Sequence, residues 1–470
     1  MGRKQKKNKR MEELPLITKA KRPRLDEAQD TSGQASRVFS STHQDSFDEI
    51  FEAGVLLHRN GSVRQTWMEG DNQVNWLECQ SKTLDSNDDL AQNFEQIESE
   101  IKQVHKELNN VKGQFMQASM ECAQGYQQLQ GKSCSSSQVF KQARRRCNPF
   151  ECLGEGVDSG LNHGLFVNRS AMKLANIDCI LGHSLLPPNQ QSFCFCDLCG
   201  APGGFAEYLF YRASKTQQVK GYGMSLGGTN QDGRGCKWKM SHLNDFYEPN
   251  QNCDFVVCKG KDGTGDIYNW DNVEHLRKIV HEKVNLVVAD GGFDAQRDCE
   301  DQEGVTLRLV VSQVAAAMFV LSSGGTLIVK IFGTATSPIH AMMHSLMGRF
   351  EKIAILKPVS SRPASSERYL ICINFNCAES ELDCKQLREE IVNKTSLPET
   401  KVNRRLKQYL LERELAIANL NLKACKAILT TMGQPEFVLS GVSKTKQDEL
   451  YPFSTKAKTL IKKYRQSWKL

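Results

Sequence analysis

The chain of 470 residues predicts an α/β fold built on a doubly wound, largely parallel sheet, and three observations carry that expectation. Short apolar runs alternate with helix-like segments, which is the pattern of a parallel sheet covered on both faces. Two runs end on an aspartate and a third on a lysine. A glycine-rich turn joins one run to a helix start.

The first run, residues 193–196 (Phe-Cys-Phe-Cys), reads as a buried strand, and residues 206–211 (Ala-Glu-Tyr-Leu-Phe-Tyr) read as the start of a helix. Further runs at 221–225, 254–257, 285–289, 326–329, 353–356 and 368–372 are the expected strands, and 305–321 is the most helix-like segment between them. In such sheets ligands bind beyond the carboxyl ends of the strands. Asp197, Asp290 and Lys330 each lie at the end of a run, so all three are expected on one rim.

The turn reads Asp197-Leu-Cys199-Gly200-Ala201-Pro202-Gly203-Gly204-Phe205. Its glycines allow tight dihedrals and close approach of a bulky ligand to the main chain, and the helix start offers unpaired N–H groups. The dinucleotide pattern G-x-G-x-x-G is not met, because Ala201 and Pro202 separate the first two glycines. Alone, the turn is equally an ordinary strand-to-helix connection.

Four stretches, NRSAMKLAN, VVADGG, LIVKIF and RPASSERYL, supply Lys173, Asp290, Lys330 and Glu367. Two lysines and two acids suit the deprotonation of a sugar hydroxyl. A lysine is ordinarily protonated at neutral pH, but a second cation nearby and partial desolvation disfavour its charge. Lys330 beside Lys173 is therefore the expected base, with its pKa lowered, while Asp290 and Glu367 oppose that shift and orient the ammonium groups and the hydroxyl. In-line positioning of that hydroxyl against a sulfonium methyl would supply much of the acceleration. Each residue singly has a plainer explanation, a solvated helix face or a strand-end cap.

Here the sequence resembles the FtsJ-type ribose 2'-O-methyltransferases with a Lys-Asp-Lys-Glu tetrad, over roughly residues 145 to 375. The stretches 168–176, 199–205, 289–293 and 361–369 are most similar to the branch that methylates the first transcribed nucleotide of capped mRNA. The resemblance implies a Rossmann-like S-adenosylmethionine-dependent methyltransferase sheet. It implies S-adenosylmethionine held by Asn168, by Asp197 and residues 199–205 (Cys199, Gly200, Ala201, Pro202, Gly203, Gly204 and Phe205), and by Asp266 and Ile267. It further implies Lys330 as proton acceptor, with Lys173 and Asp290 beside it, and contacts to capped RNA from Arg144 and Glu367. Animal members of that branch also carry a G-patch and guanylyltransferase-like and WW modules, whose patterns are not found in this sequence.

Charge is unevenly spread. Residues 1–24 hold ten Lys or Arg against Glu12 and Glu13, while the whole chain nets +7, so the body is not a general polyanion binder. The two basic clusters at 6–10 and 19–24 read as a bipartite nuclear localisation signal or a basic arm on nucleic acid. Seventeen cysteines without a secretory signal are expected as reduced thiols. Cys194, Cys196 and Cys199 fit alternate strand positions better than a zinc site, and no metal is expected. No apolar run approaches membrane-spanning length.

Four segments follow: a disordered basic arm and linker at 1–88, a heptad-patterned helix at 89–130, the methyltransferase domain at 131–376, and a helical appendage with a basic tail at 377–470. Leu90, Phe94, Ile97, Ile101, Val104, Leu108, Val111 and Phe115 form a heptad seam. Two outcomes are open for it: association with a partner or a second copy through 90–129, or packing on its own domain. The tail from 443, basic with aromatics, suits RNA or a docked end helix. The expected function is cap-1 ribose methylation in the nucleus. The alternatives are the second cap nucleotide, rRNA or tRNA, or a non-catalytic RNA-binding protein; DNA is an unexpected substrate, since it lacks the group modified.

Overall fold

The computed structural model describes residues 77–78, 89–131, 133–148, 150, 166–213, 216–227, 236–247, 252–292, 302–376, 403–433 and 466–470. The expectations for the basic arm, the linker up to residue 76, and the tail from 443 to 465 lie outside the described residues.

In chain order the elements are β1 (Leu77–Glu78), α1 (Asp89–Gly113), α2 (Phe115–Gln130), α3 (Ser136–Cys147), α4 (Ser170–Ile180), β2 (Ser192–Leu198), α5 (Gly204–Arg212), β3 (Gln218–Met224), α6 (Met240–Tyr247), β4 (Cys253–Cys258), α7 (Trp270–Val280), β5 (Val284–Ala289), α8 (Gln302–Val320), β6 (Leu321–Ile331), α9 (Ser337–Met347), β7 (Phe350–Leu356), β8 (Arg368–Phe375) and α10 (Arg404–Met432). Every apolar run read as a strand is one. They form a single sheet in the order β1-β7-β8-β6-β5-β2-β3-β4.

From β6 to β4 all pairings are parallel. The other side departs from the parallel expectation, since β8 runs antiparallel to both β6 and β7, and β1 antiparallel to β7. The cause is the connection between β7 and β8: residues 357–367 contain no helix, and a parallel return needs a crossover of a dozen or more residues. β2 pairs with both β3 and β5, so the chain order reverses there and opens a crevice at the carboxyl ends of the two strands. The register Leu198↔Ala289 brings Cys199 and Asp290, the residues that follow, to that crevice.

Alternating side chains of the strands feed two cores. Cys196 and Leu198 join the core that α7, α8 and α9 cover, while Phe193 and Phe195 join the one beneath α4 and α5. α8 corrects the membrane reading: Glu303–Val320 is long and apolar enough to cross a bilayer by composition, but 72% of it is buried inside the molecule, where it covers the sheet. The end of the chain is docked rather than extended, with Trp468 fully buried 5.7 Å from the ring of Phe150.

The heptad seam packs on its own chain. Phe94 and Ile101 are buried with Leu411, and Leu108 and Val111 with Leu422 and Cys425, all three partners on α10. Full burial of side chains of this size contributes roughly 1.5–3 kcal/mol each, so the seam is occupied intramolecularly rather than left for a partner. Gly113 ends α1, and the chain restarts as α2, which joins α3 and α10 through Cys122, Tyr126, Val139, Ala143 and Ile428. The heptad segment and the C-terminal appendage thus form one helical layer.

Candidate active site

The four tetrad residues come from four elements and meet at the carboxyl ends of the strands. Lys173 lies in α4, Asp290 directly follows β5, Lys330 lies near the end of β6, and Glu367 directly precedes β8. Lys173 Nζ donates to Glu367 Oε2 at 2.8 Å, and Lys330 Nζ lies 3.0 Å from Asp290 Oδ1 while donating to the Asp290 carbonyl at 2.7 Å. All four side chains are largely buried. The β6–β8 register sets Lys330 opposite Tyr369, so Lys330 and the Glu367 arm belong to neighbouring strands.

Each carboxylate has hydroxyl donors of its own. Asp290 accepts from Ser170 Oγ at 2.6 Å and from Tyr369 Oη at 2.8 Å, and Glu367 accepts from Ser361 Oγ at 2.7 Å. Burial favours the neutral acids, but Lys173 and Lys330 outweigh it and hold both carboxyls below the usual carboxylate range. Lys330 overturns the sequence expectation. Burial does press against its charge, yet Asp290 and then Glu367 outweigh burial, and its pKa is raised above that of an ordinary lysine. Contact with Asp290 at 3.0 Å, with Glu367 acting in the same direction, prevails over burial.

Sequence reasoning missed Lys357. It directly follows β7, much as Lys330 lies near the end of β6, and that position was the available signal. Its Nζ donates to the carbonyls of Ser365 at 2.5 Å and Glu367 at 2.7 Å. Burial lowers its pKa to about 7. Ser170, Ser361 and Tyr369 were missed too, although all three lie within the motifs already quoted.

The glycine turn sits beside the tetrad. Cys199 (φ 55°) and Gly203 (φ 115°) adopt left-handed backbone, which lets the chain reverse between β2 and α5. A Cβ at Gly200 would collide with the Asp197 carboxylate, and one at Gly204 with the Asn168 side chain. Asn168 Oδ1 also accepts from Ser170 N at 3.0 Å, which ties the turn to the start of α4. Cys199, beside Gly291, is held up at about 12, first by burial and then by Asp197; Lys330 and Asp266 also act on it, the former in opposition. Turn, tetrad and the 260–267 loop therefore converge. That loop packs against the end of β3, where a Cβ at Gly265 would strike the Ser225 carbonyl, and Asp266 Oδ1 caps Tyr268 N at 2.8 Å. Ala201, Pro202 and Phe205 complete the turn, and Ile267 is buried in the core behind it.

A sulfonium cofactor fits these residues. Asp197 is fully buried, and both carboxylate oxygens lack a well-aligned donor. Burial, and then Asp290, push its pKa well above the usual range, with the Ala206 N–H opposing. A buried acid without a well-aligned donor beneath a glycine cradle is suited to a ligand's polar groups. Arg144, by contrast, contributes from the helical layer: it lies on α3 with its guanidinium 5.2 Å from the centroid of the Phe140 ring. Val139 and Ala143 of that helix pack with Ala364, in the loop leading to Glu367.

Sheet, switch-point crevice and Lys-Asp-Lys-Glu cluster together make a Rossmann-like α/β domain with its candidate site at the switch point. The family described as FtsJ-like methyltransferase matches residues 166–375, a span that holds all four tetrad residues and the glycine turn. The chain is 31% identical over 272 residues to the cap-specific mRNA (nucleoside-2'-O-)-methyltransferase 1 of Xenopus laevis, a match covering 54% of this chain and 29% of the relative. It is 32% identical over 247 residues to the enzyme of the same name from Drosophila melanogaster, covering 49% of this chain and 29% of that one. The chain thus spans under a third of the length of these relatives. Among solved structures, human methyltransferase-like protein 13 in complex with SAH aligns at a TM-score of 0.27 and 9% identity, covering 50% of this chain and 97% of that one.

Proposed function

We propose that this protein transfers the methyl group of S-adenosylmethionine to the ribose 2'-hydroxyl of the first transcribed nucleotide of capped mRNA. The observation that carries the reading is the meeting of Lys173, Asp290, Lys330 and Glu367 beside the glycine turn that follows β2. The names of the relatives support the capped substrate.

Asn168, Asp197, residues 199–205, Asp266 and Ile267 would hold the cofactor, whose sulfonium supplies an electrophilic methyl that leaves its bonding electrons on sulfur. Lys330 accepts the proton of the 2'-hydroxyl as the hydroxyl oxygen attacks. Because Asp290 and Glu367 keep Lys330 charged in the free protein, its proton must leave first. Exclusion of water by bound RNA and added positive charge at the crevice both act in that direction. Asp290, held by Ser170 and Tyr369, then orients the Lys330 amine, and Lys173 with Glu367 fixes the hydroxyl in line. Glu367 and Arg144 are the proposed contacts to capped RNA, and the basic clusters within 1–24 are the proposed nuclear address.

The test is transfer of labelled methyl to matched short RNAs with and without an m7G cap, followed by nuclease mapping. Cap-dependent label on the first nucleotide supports the reading. Label on the second nucleotide, or on uncapped RNA, reassigns the substrate.

A further inference from the structure

Outside the matched segment 166–375, α10 bonds to residues that flank the tetrad. Its residues Glu414, Asn421 and Cys425 recur at intervals of seven and four, so they share one face of the helix, and that face is turned to the strand ends that carry the tetrad. All three are buried.

Glu414 Oε2 receives Arg368 Nη1 at 2.6 Å, the Thr334 amide at 2.8 Å and the Thr334 hydroxyl at 3.0 Å, while Oε1 lies 3.1 Å from His105 Nε2 of α1. Arg368 is 1% exposed and directly follows Glu367. The rest of its guanidinium donates to the carbonyls of Ser366 at 3.0 Å and Phe332 at 3.4 Å. One carboxylate of α10 therefore ties the start of β8, next to Glu367, to the loop just beyond Lys330. Two turns further on, the Asn421 amide, in its satisfied orientation, donates to the carbonyls of Pro363 at 2.5 Å and Ser365 at 2.8 Å. Lys357 claims the carbonyls of Ser365 and Glu367 from the other side. The turn that presents Glu367 to Lys173 is thus held at successive peptide groups, two of them by α10.

We propose that Glu414 and Asn421 are positioning residues for the Glu367 arm of the tetrad, so that the catalytic site is incomplete without α10. The proposal rests on the methyl-transfer reading above, and deepens it by extending the working site into the helical layer. Packing alone gives no reason for these residue types. A buried ion pair stabilises no better than well-packed apolar side chains of similar volume, whereas it does impose a single geometry. The other α10 residues of this layer, such as Leu411 and Leu422, do pack apolar against α1. Glu414 and Asn421 stand where the helix passes residues 332–334 and 363–368.

The experiment compares the full chain with its Asn421→Ala and Glu414→Gln variants. It follows hydrogen exchange of the amides of residues 361–369, S-adenosylhomocysteine affinity, and the kcat and KM of methyl transfer to RNA. The expected result is faster exchange confined to 361–369, cofactor-product affinity within about twofold of the parent, and kcat lower by about tenfold or more with KM little changed, as for misplacement of a catalytic group. If Glu414→Gln does not fold, Asn421→Ala, which leaves the Arg368 pair intact, decides the matter. Unchanged exchange at 361–369, or faster exchange with kcat within about twofold of the parent, overturns the proposal. If the parent transfers no methyl to any RNA, the functional reading fails separately, and the exchange data still report whether α10 holds the Glu367 turn.

Discussion

Lys173 and Glu367 stand 194 positions apart in the chain and meet at 2.8 Å. The contact joins the helix that abuts the glycine turn to the loop that enters β8. It therefore spans the crevice where methyl donor and ribose would come together. Lys330 and Asp290 form the second such pair, and the two pairs share their charges: each carboxyl is held low by both lysines.

The first prediction concerns pH. Lys330 in the free protein has a raised pKa, so its deprotonated fraction rises about tenfold per pH unit across the neutral range. The kcat/KM for methyl transfer should climb in the same way from about pH 6.5 to pH 9. A plateau beginning near neutrality would show that another group sets the rate. Lys330→Arg should be inactive throughout, because a guanidinium does not release its proton at these pH values.

Tyr369→Phe removes one hydroxyl and little else, since the ring is fully buried against Phe205 and its neighbours. A hydrogen bond to a charged group is worth roughly 1.5–3 kcal/mol. With Asp290 Oδ1 left to Lys330 alone, kcat should fall by about tenfold or more. Steady-state kinetics beside a thermal melt separates this from loss of fold.

Asp197 makes a prediction with opposite signs for folding and binding. Its folded pKa is raised, so its contribution to stability falls as pH rises from the unfolded value through the folded one. At neutral pH the cofactor-free protein carries that penalty. Asp197→Asn should therefore raise the melting temperature of the free protein and weaken S-adenosylhomocysteine binding, read by calorimetry. Weaker binding together with a lower melting temperature would assign Asp197 a purely structural role.

Glu414 predicts an acid limb of stability. Burial opposes its charge, but Arg368 and then His105 outweigh it and hold the carboxyl at about 2. Its folded pKa is depressed, so its contribution is complete above the unfolded value and is lost as pH falls toward 2. Shifts of this size amount to something on the order of 3 kcal/mol. Denaturant unfolding between pH 5 and pH 3 should show this loss in the parent and a shallower one in Glu414→Gln.

Much of this site was legible in the sequence because its residues sit at strand ends inside long motifs. Asp197, Asp290 and Lys330 could be placed on one rim from the apolar runs before them, and residues 199–205 from the glycine turn, while Asn168 came only with the family resemblance. What escaped were properties that depend on distant partners. The antiparallel β8 follows from a connection too short for a crossover, which an apolar run does not announce. The pKa of Lys330 depends on distances to Asp290 and Glu367, and these outweigh the neighbouring cation that the motif suggested. The heptad seam specified a helix partner but not that the partner was α10 of the same chain. Glu414 belongs to no motif, and its role depends on Arg368, 46 positions away in the chain.

The central claim is that Lys330 removes a proton from the ribose 2'-hydroxyl of the first transcribed nucleotide. The most direct measurement is methyl transfer to a pair of m7G-capped RNAs that differ only in whether that nucleotide carries a 2'-hydroxyl or a 2'-hydrogen, with the parent protein and Lys330→Ala. The account predicts label on the ribo substrate alone, and none with Lys330→Ala despite normal S-adenosylhomocysteine binding. Equal labelling of the deoxy substrate, or undiminished transfer by Lys330→Ala, would contradict it.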